Sequence, residues 1–106
     1  MEVKEFDWKK FREKLPKWHE DYMERLVKGY ASLLAENKPA SYKYWELRKR
    51  INQDKKCSGV VMEPRRSTMI IEVAGMIVDG VITLDDISDF SDEFKEGINL
   101  LLRGRI

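Results

Sequence analysis

The middle of the chain places aromatic rings among many cations. Residues 38–66 hold nine Lys or Arg and three Asp or Glu, a net charge of +6, with Tyr42, Tyr44 and Trp45 between them. Cations contact phosphates and aromatic rings stack on bases, so this segment is a candidate nucleic-acid site. The candidate residues are Lys43, Arg48, Lys49, Arg50, Lys55, Lys56, Arg65 and Arg66.

The next segment carries the opposite charge. Residues 67–102 hold eight Asp or Glu and one Lys, a net charge of −7, and the whole chain has a net charge of +1. The basic segment can therefore pack beside the acidic one, within the molecule or across a dimer. We favour this interpretation, because nucleic-acid domains usually carry a clear basic excess. It predicts recognition of a polypeptide rather than a polyphosphate.

Three tryptophans supply either core or interface contacts. Trp18 falls on an apolar helical stripe and is expected in the core, which leaves Trp8 and Trp45 as interface candidates. Aromatic residues beside separated charges suit electrostatically selected association. The sequence therefore predicts a protein-interaction site, for a protein partner or self-association, with nucleic acid as the alternative. Its expected residues are Trp8, Tyr42, Trp45, Arg48 and Arg50.

Catalytic and metal-binding patterns are weak. Residues 79–86 resemble the second half of a calcium loop, but the first two ligand positions fall on Gly75 and Ile77, which have no side-chain oxygen. Cys57 and the only histidine, His19, are far apart in sequence, and paired acids are explained by first turns of helices. We find no phosphate loop, zinc spacing or nucleophile elbow, and expect no enzyme, cofactor or metal.

Length and composition predict one small domain. The 106 residues fit a single domain over 1–106, and 42% hydrophobic with 37% charged residues argues against disorder. The longest nearly apolar run, 69–78, is far shorter than the ~20 residues that span a bilayer. The charged N-terminus lacks the apolar region of a signal peptide, and a single cysteine excludes an internal disulfide framework. We expect a cytoplasmic protein without membrane contact.

Apolar spacing predicts helices in the first half of the chain. A stripe with spacings of three and four residues joins Phe11, Leu15, Trp18, Tyr22, Leu26, Tyr30 and Leu33. Because Pro16 interrupts it, we predict a short helix at 5–14 and a long one at 16–36, with one kinked helix as the alternative. Ser41 is expected to cap a helix at 42–54.

The second half predicts shorter elements. The apolar run 69–78 favours a buried central helix. Thr83 and Asp86 match a capping box before a short helix at 84–89, and Ser91 is expected to cap the last helix. The predicted fold is all-α, a bundle of four to five helices around a near-wholly apolar central helix. Brief extended pieces at 60–62 and 81–82 leave room for one very short two-stranded pairing.

Three segments carry a resemblance to other proteins. They are Tyr22-Met-Glu-Arg-Leu-Val-Lys-Gly-Tyr, Trp45-Glu-Leu-Arg-Lys-Arg-Ile-Asn-Gln-Asp-Lys-Lys and Asp79-Gly-Val-Ile-Thr-Leu-Asp-Asp-Ile-Ser-Asp-Phe-Ser-Asp-Glu-Phe-Lys-Glu. Together they resemble small uncharacterised bacterial proteins, all-helical, with no assigned activity. The resemblance covers about a third of the chain and brings no functional residues. It implies a bacterial, cytoplasmic, helical protein.

Overall fold

The protein is all-α. The computed structural model describes residues 3–60 and 63–104, and no strand is found within these ranges. They contain four α-helices and two 3₁₀ turns. The helices are α1 (Glu5–Leu34), α2 (Ala40–Asp54), α3 (Met69–Val78) and α4 (Asp92–Arg103), and the 3₁₀ turns are Arg66–Thr68 and Leu84–Ile87.

The first helix is continuous across its proline. The predicted break at Pro16 is wrong, because α1 runs unbroken for 30 residues. Proline removes one helical hydrogen bond. Here the carbonyl that would have accepted it belongs to Arg12, which is an exposed residue. Leu15 and Trp18 are buried on either side of the proline, so packing holds both halves of α1 in one helix.

The second helix begins earlier than predicted. It starts at Ala40 with Pro39 as its N-cap, and no side chain caps it, so the predicted Ser41 cap is wrong. Proline fixes its own φ angle, here −57°, and Pro39 therefore defines the start of the helix without a side-chain acceptor. Its last residue is Asp54, as the sequence predicts.

The apolar helix α3 forms but is not enclosed. Met69, Ile70, Val73, Ala74 and Met76 are buried on one face. On the other face, Ile71 and Val78 are about half exposed, because the neighbouring helices do not surround α3.

The two predicted extended pieces, 60–62 and 81–82, form no β-strand pairing in the described residues. Val81 and Ile82 lie in a buried bend after α3, and Val60 lies in a turn. Val61 and Met62, the rest of the first predicted piece, lie outside the described residues. The predicted helix at 84–89 is a 3₁₀ turn, in which Asp86 Oδ2 accepts the Thr83 backbone N–H at 2.7 Å.

The core lies between the first half of α1, α3 and α4. Its side chains are apolar and come from α1, α3, the bend, the second 3₁₀ turn and α4. Ring contacts run from Phe11 to Trp18, Phe90 and Phe94, with centroids 5.1–6.3 Å apart. The buried residues of this cluster are Val3, Phe11, Leu15, Trp18, Met69, Ile70, Val73, Ala74, Met76, Val81, Ile82, Ile87, Phe90, Phe94 and Ile98.

A buried carboxylate joins the start of α1 to the start of α4. Asp7 is 2% exposed and accepts two hydrogen bonds from Ser91, from the backbone N–H at 2.8 Å and from the hydroxyl at 2.6 Å. Ser91 Oγ also accepts the Phe94 N–H at 3.2 Å, which confirms Ser91 as the cap of α4. One serine therefore caps a helix and anchors a buried charge.

We expect Asp7→Asn and Ser91→Ala each to destabilise the fold by about 2 kcal/mol, through loss of a charge-assisted hydrogen bond and of a helix cap. Because the two residues act as one unit, the double variant should lose less than the sum, with a coupling of roughly 0.5–3 kcal/mol. Urea unfolding checks this. Ser32→Ala, at an exposed serine of α1, is the control. If the double variant loses the full sum of the two single losses in unfolding free energy, Asp7 and Ser91 do not act as one unit.

Candidate functional site on the outer face of α2

The second helix stands outside the core. None of its residues is buried, and it packs on the last third of α1 rather than on α3 or α4. The chain reverses direction between Leu34 and Ala40, and the Tyr30 hydroxyl donates a short hydrogen bond to Asp54 Oδ2. We call α2 and the part of α1 beside it the arm.

The chain then returns along α1 toward the core. Gly59 lies so close to Tyr22 that an added Cβ would be 2.5 Å from the ring, so only glycine fits there. His19, on the same side of α1, is half-buried with Nε2 3.2 Å from the Val60 carbonyl oxygen, so it contacts the segment that follows α2. These contacts join the far end of α2 to the middle of α1.

The outer face of α2 presents cations and one large aromatic ring. Trp45, Lys49, Asn52 and Lys56 are spaced by four, three and four residues, so they share one face of the helix. They line a shallow surface depression together with Arg48, whose guanidinium lies 5.6 Å from the Trp45 ring centre. All five are exposed. Tyr44 meets Trp45 edge-on with ring centres 5.0 Å apart.

No carboxylate of the described residues pairs with this face. Within residues 3–60 and 63–104, no ion pair involves Arg48, Lys49, Lys55 or Lys56. The two acids of α2 are half-buried and engaged elsewhere, Glu46 with Arg50 at 3.3 Å and Asp54 with Tyr30. The face is therefore locally positive although the chain is nearly neutral overall.

Other cations of the predicted nucleic-acid set lie away from this face. Arg66 donates to the Val3 carbonyl at 2.8 Å and to Glu5 at 2.6 Å, so it holds the start of the chain. Arg65 pairs with Glu63 at 3.6 Å, and Lys43 is half-buried. Of the eight predicted residues, Arg48, Lys49 and Lys56 line the outer face, and Lys55 is exposed at its edge.

Two acids of the acidic segment pair with lysines at the start of α1 and just before it. Lys10 and Lys14 pair with Asp89 at 3.2 and 3.0 Å, and Lys4 pairs with Glu93 at 3.2 Å. The hydrogen bond from Lys14 lowers the pKa of Asp89. Segments 38–66 and 67–102 touch through Ser58 and Asp79, but across the described residues no ion pair joins them, so their cations and acids do not neutralise each other there as expected. Pairing across a dimer stays a prediction.

The structure brings together only part of the predicted protein-interaction site. Trp8 lies on α1 and packs against the core, with its ring 5.9 Å from that of Phe11. Arg50 is held by Glu46. Tyr42 is exposed three residues before Trp45, with the Lys38 ammonium 4.7 Å from its ring, so Tyr42, Trp45 and Arg48 are the members of that set on the outer side of α2.

Cys57 belongs to a small polar cluster. It is half-buried and packs against the core, as a lone cysteine is expected to do. A hydrogen bond with its thiol, together with burial, raises the pKa of Tyr22 to about 12. Ser58 donates to Asp79 at 2.8 Å beside it. Among the described residues, no group of three or more His, Cys, Asp and Glu is placed to hold a metal ion.

No helix of the described ranges combines the length and the apolar character that crossing a membrane requires. No protein-family model matches the sequence, and comparisons with curated proteins and with solved structures gave no match. The resemblance to small bacterial helical proteins therefore stays a prediction.

The position of α2 is expected to depend on pH through Tyr30. Burial, followed by the hydrogen bond to Asp54, raises the pKa of Tyr30 to about 12, above the ordinary value of about 10. The neutral phenol is therefore favoured in the folded protein, and its stabilisation is present below pH ~10 and lost as the pH rises through ~12.

Titration of tyrosinate absorbance in the wild type and in Tyr30→Phe gives the pKa of Tyr30 by difference. We expect a value near 12, and a loss of unfolding free energy at high pH that is smaller in Tyr30→Phe. Tyr44→Phe, at an exposed ring, is the control. A difference titration centred near pH 10 would contradict the proposed environment.

Proposed function

We propose that this protein binds nucleic acid through the outer face of α2 and catalyses no reaction. One observation carries the proposal. Arg48, Lys49 and Lys56 line one exposed depression with Trp45, Lys55 is exposed at its edge, and no carboxylate of the described residues pairs with these four cations. Cations without internal partners bind phosphates and release counterions, and an exposed indole offers a surface on which a base stacks.

The composition of the face favours a polyphosphate over a protein. Three of its four cations are lysines, and lysine is depleted at protein interfaces. Trp45 and Lys56 are 11 residues apart, about 16 Å along a helix, which spans several phosphates of a strand. The whole length of the face can therefore follow a nucleic-acid backbone.

The number of cations sets how strongly the face is expected to bind nucleic acid and how steeply that binding depends on salt. Neutralising four phosphates gives a slope of log K against log salt concentration of about −3.6 for duplex and −2.8 for single strands. Such a slope belongs to weak, largely sequence-independent binding. Base stacking on Trp45 adds roughly 1–3 kcal/mol for an unpaired base, which favours single-stranded segments.

An acidic polypeptide is the second candidate partner. The Arg48 guanidinium lies 5.6 Å from the Trp45 ring centre, and both residue types are enriched at the hot spots of protein interfaces. Competition separates the two classes. Release of a bound oligonucleotide by inorganic polyphosphate but not by poly-glutamate of equal charge is expected for a phosphate-binding face.

We expect Lys49→Gln/Lys56→Gln to weaken binding of a fluorescent single-stranded oligonucleotide, because both ammonium groups face outward and unpaired. The salt slope should fall by about 1.4, two phosphates at about 0.7 each. Fluorescence anisotropy at several salt concentrations measures it.

The matched control is Lys17→Gln/Lys28→Gln, which removes the same charge from α1. Both of those lysines are already paired, with Asp21 at 2.7 Å and Glu24 at 3.4 Å. If both double variants lose the same oligonucleotide affinity, binding responds to net charge alone, and the assignment of the binding face to α2 is overturned.

Trp45→Ala tests stacking separately from charge. The side chain is 59% exposed, so its removal should change stability by less than ~0.5 kcal/mol. Affinity for a single strand should fall by roughly tenfold, the equivalent of one stacked base, and affinity for a duplex should change little. Urea unfolding and anisotropy check the two effects. An equal loss of affinity for single strand and duplex would contradict base stacking on Trp45.

A further inference from the structure

Arg48 differs in kind from the other cations of the outer face. Among the described residues that line the depression around Trp45, it is the only arginine, and the other two cations are Lys49 and Lys56. A lysine presents a compact point charge, which suits a phosphate. An arginine presents a rigid planar fork of N–H donors, which suits a pair of acceptors in one plane. Arg48 is therefore equipped for a contact that the lysines cannot make.

The Arg48 guanidinium lies beside the Trp45 ring without covering its centre. The guanidinium carbon, Cζ, is 5.6 Å from the ring centre. A group stacked over the centre would lie at van der Waals distance, about 3.5–4 Å. The guanidinium therefore lies toward the margin of the ring. Because the Trp45 side chain is 59% exposed, a base can stack on the indole with its edge next to the guanidinium.

Arg48 has no acid to hold it within the described residues. It is exposed, and Glu46, the acid two residues before it, is engaged by Arg50 at 3.3 Å. No other carboxylate in residues 3–60 and 63–104 pairs with Arg48. The fork can therefore turn to an acceptor of a ligand without breaking an ion pair of the described chain.

We propose that Arg48 selects guanine stacked on Trp45, an inference that rests on the proposed binding of nucleic acid. Guanine places two acceptors, O6 and N7, side by side on one edge, and an arginine fork donates to both. Adenine stacks as a purine too, but it carries an amino group where guanine has O6. Cytosine also has two adjacent acceptors, N3 and O2, but its single ring covers less of the indole.

Distance along α2 favours Arg48 over the two amides of the depression. Asn52 and Gln53 also line it, and both residue types pair with adenine. They lie seven and eight residues beyond Trp45, about 10–12 Å along the helix, whereas Arg48 lies three residues away, about 4.5 Å. A base on Trp45 is therefore within reach of Arg48 and not of the amides.

The lysines hold the strand, and Arg48 chooses the base. Phosphate contacts fix the position of a strand without reading its sequence, whereas contacts to base edges read it. On a strand without guanine, Arg48 neutralises a phosphate as the lysines do. At a guanine it turns from that phosphate to the base. The slope of log K against log salt concentration should then be shallower by about 0.7, the share of one phosphate.

Fluorescence anisotropy tests this with oligothymidines of equal length in which one central base is varied. We expect guanine to be bound at least about fivefold more tightly than adenine, the lower end for one bidentate base contact, with cytosine between them. Hypoxanthine keeps O6 and N7 and should bind like guanine. A 7-deazaguanine keeps the ring stack but lacks N7 and should lose most of the preference. RNA strands should rank guanine and adenine as DNA does, since the base edges are the same.

Arg48→Lys separates base selection from charge, because it keeps the cation and removes the fork. Affinity for plain oligothymidine and its salt slope should not change, whereas most of the preference for guanine should be lost. The matched control is Arg50→Lys on the same helix, where the arginine is engaged by Glu46 and the preference should persist. Circular dichroism verifies that both variants remain helical.

The outcomes distinguish this role of Arg48 from the binding of nucleic acid itself. Equal affinity for all bases, a preference for adenine or cytosine over guanine, or a guanine preference that survives Arg48→Lys would overturn the role of Arg48 and leave strand binding in place. If no oligonucleotide binds, both proposals are wrong. Displacement of the strand by guanosine monophosphate as efficiently as by the unlabelled strand would indicate a free-nucleotide site and overturn the recognition of guanine within a strand.

Discussion

The buried carboxylate of Asp7 fixes where the rest of the molecule lies. By accepting both donors of Ser91, it locks the first turn of α1 against the cap of α4. The first half of α1 is thereby held in the core, and the helix continues for 30 residues, about 45 Å. Its last third extends past α3 and α4. The arm exists because a helix anchored at one end is longer than the core it enters.

The arrangement of charge follows from the same geometry. The first turns of α1 lie beside the acidic end of the chain, so Lys4, Lys10 and Lys14 neutralise Glu93 and Asp89. Those acids are then occupied at the core, far along α1 from α2. Within residues 3–60 and 63–104, no cation of α2 pairs with an acid of segment 67–102. A nearly neutral chain thus has a locally positive face, which net charge alone does not reveal.

Local signals in the sequence predict much of the fold. The caps at Ser91 and Thr83, the end of α2 at Asp54 and the extent of α3 depend on neighbouring residues and are found as predicted. Pro16 is different, because its tolerance depends on the core on both sides of it. The buried Asp7 is also missed, since its partner lies 84 residues away and its position in a first turn already explains an acid there. Long-range partners explain these two failures, whereas the wrong Ser41 cap is local, because Pro39 already defines the start of α2.

Contacts between residues far apart in sequence also explain why the sequence alone does not define the candidate site. Spacing along α2 reveals that Trp45, Lys49 and Lys56 share a face, but whether acids cover that face depends on how the arm folds back. Because α2 packs on α1, whereas Asp89 and Glu93 pair with lysines at the opposite end of that helix, those two acids lie away from the outer face. The positive face therefore follows from the length of α1 and not from any excess of cations in the chain.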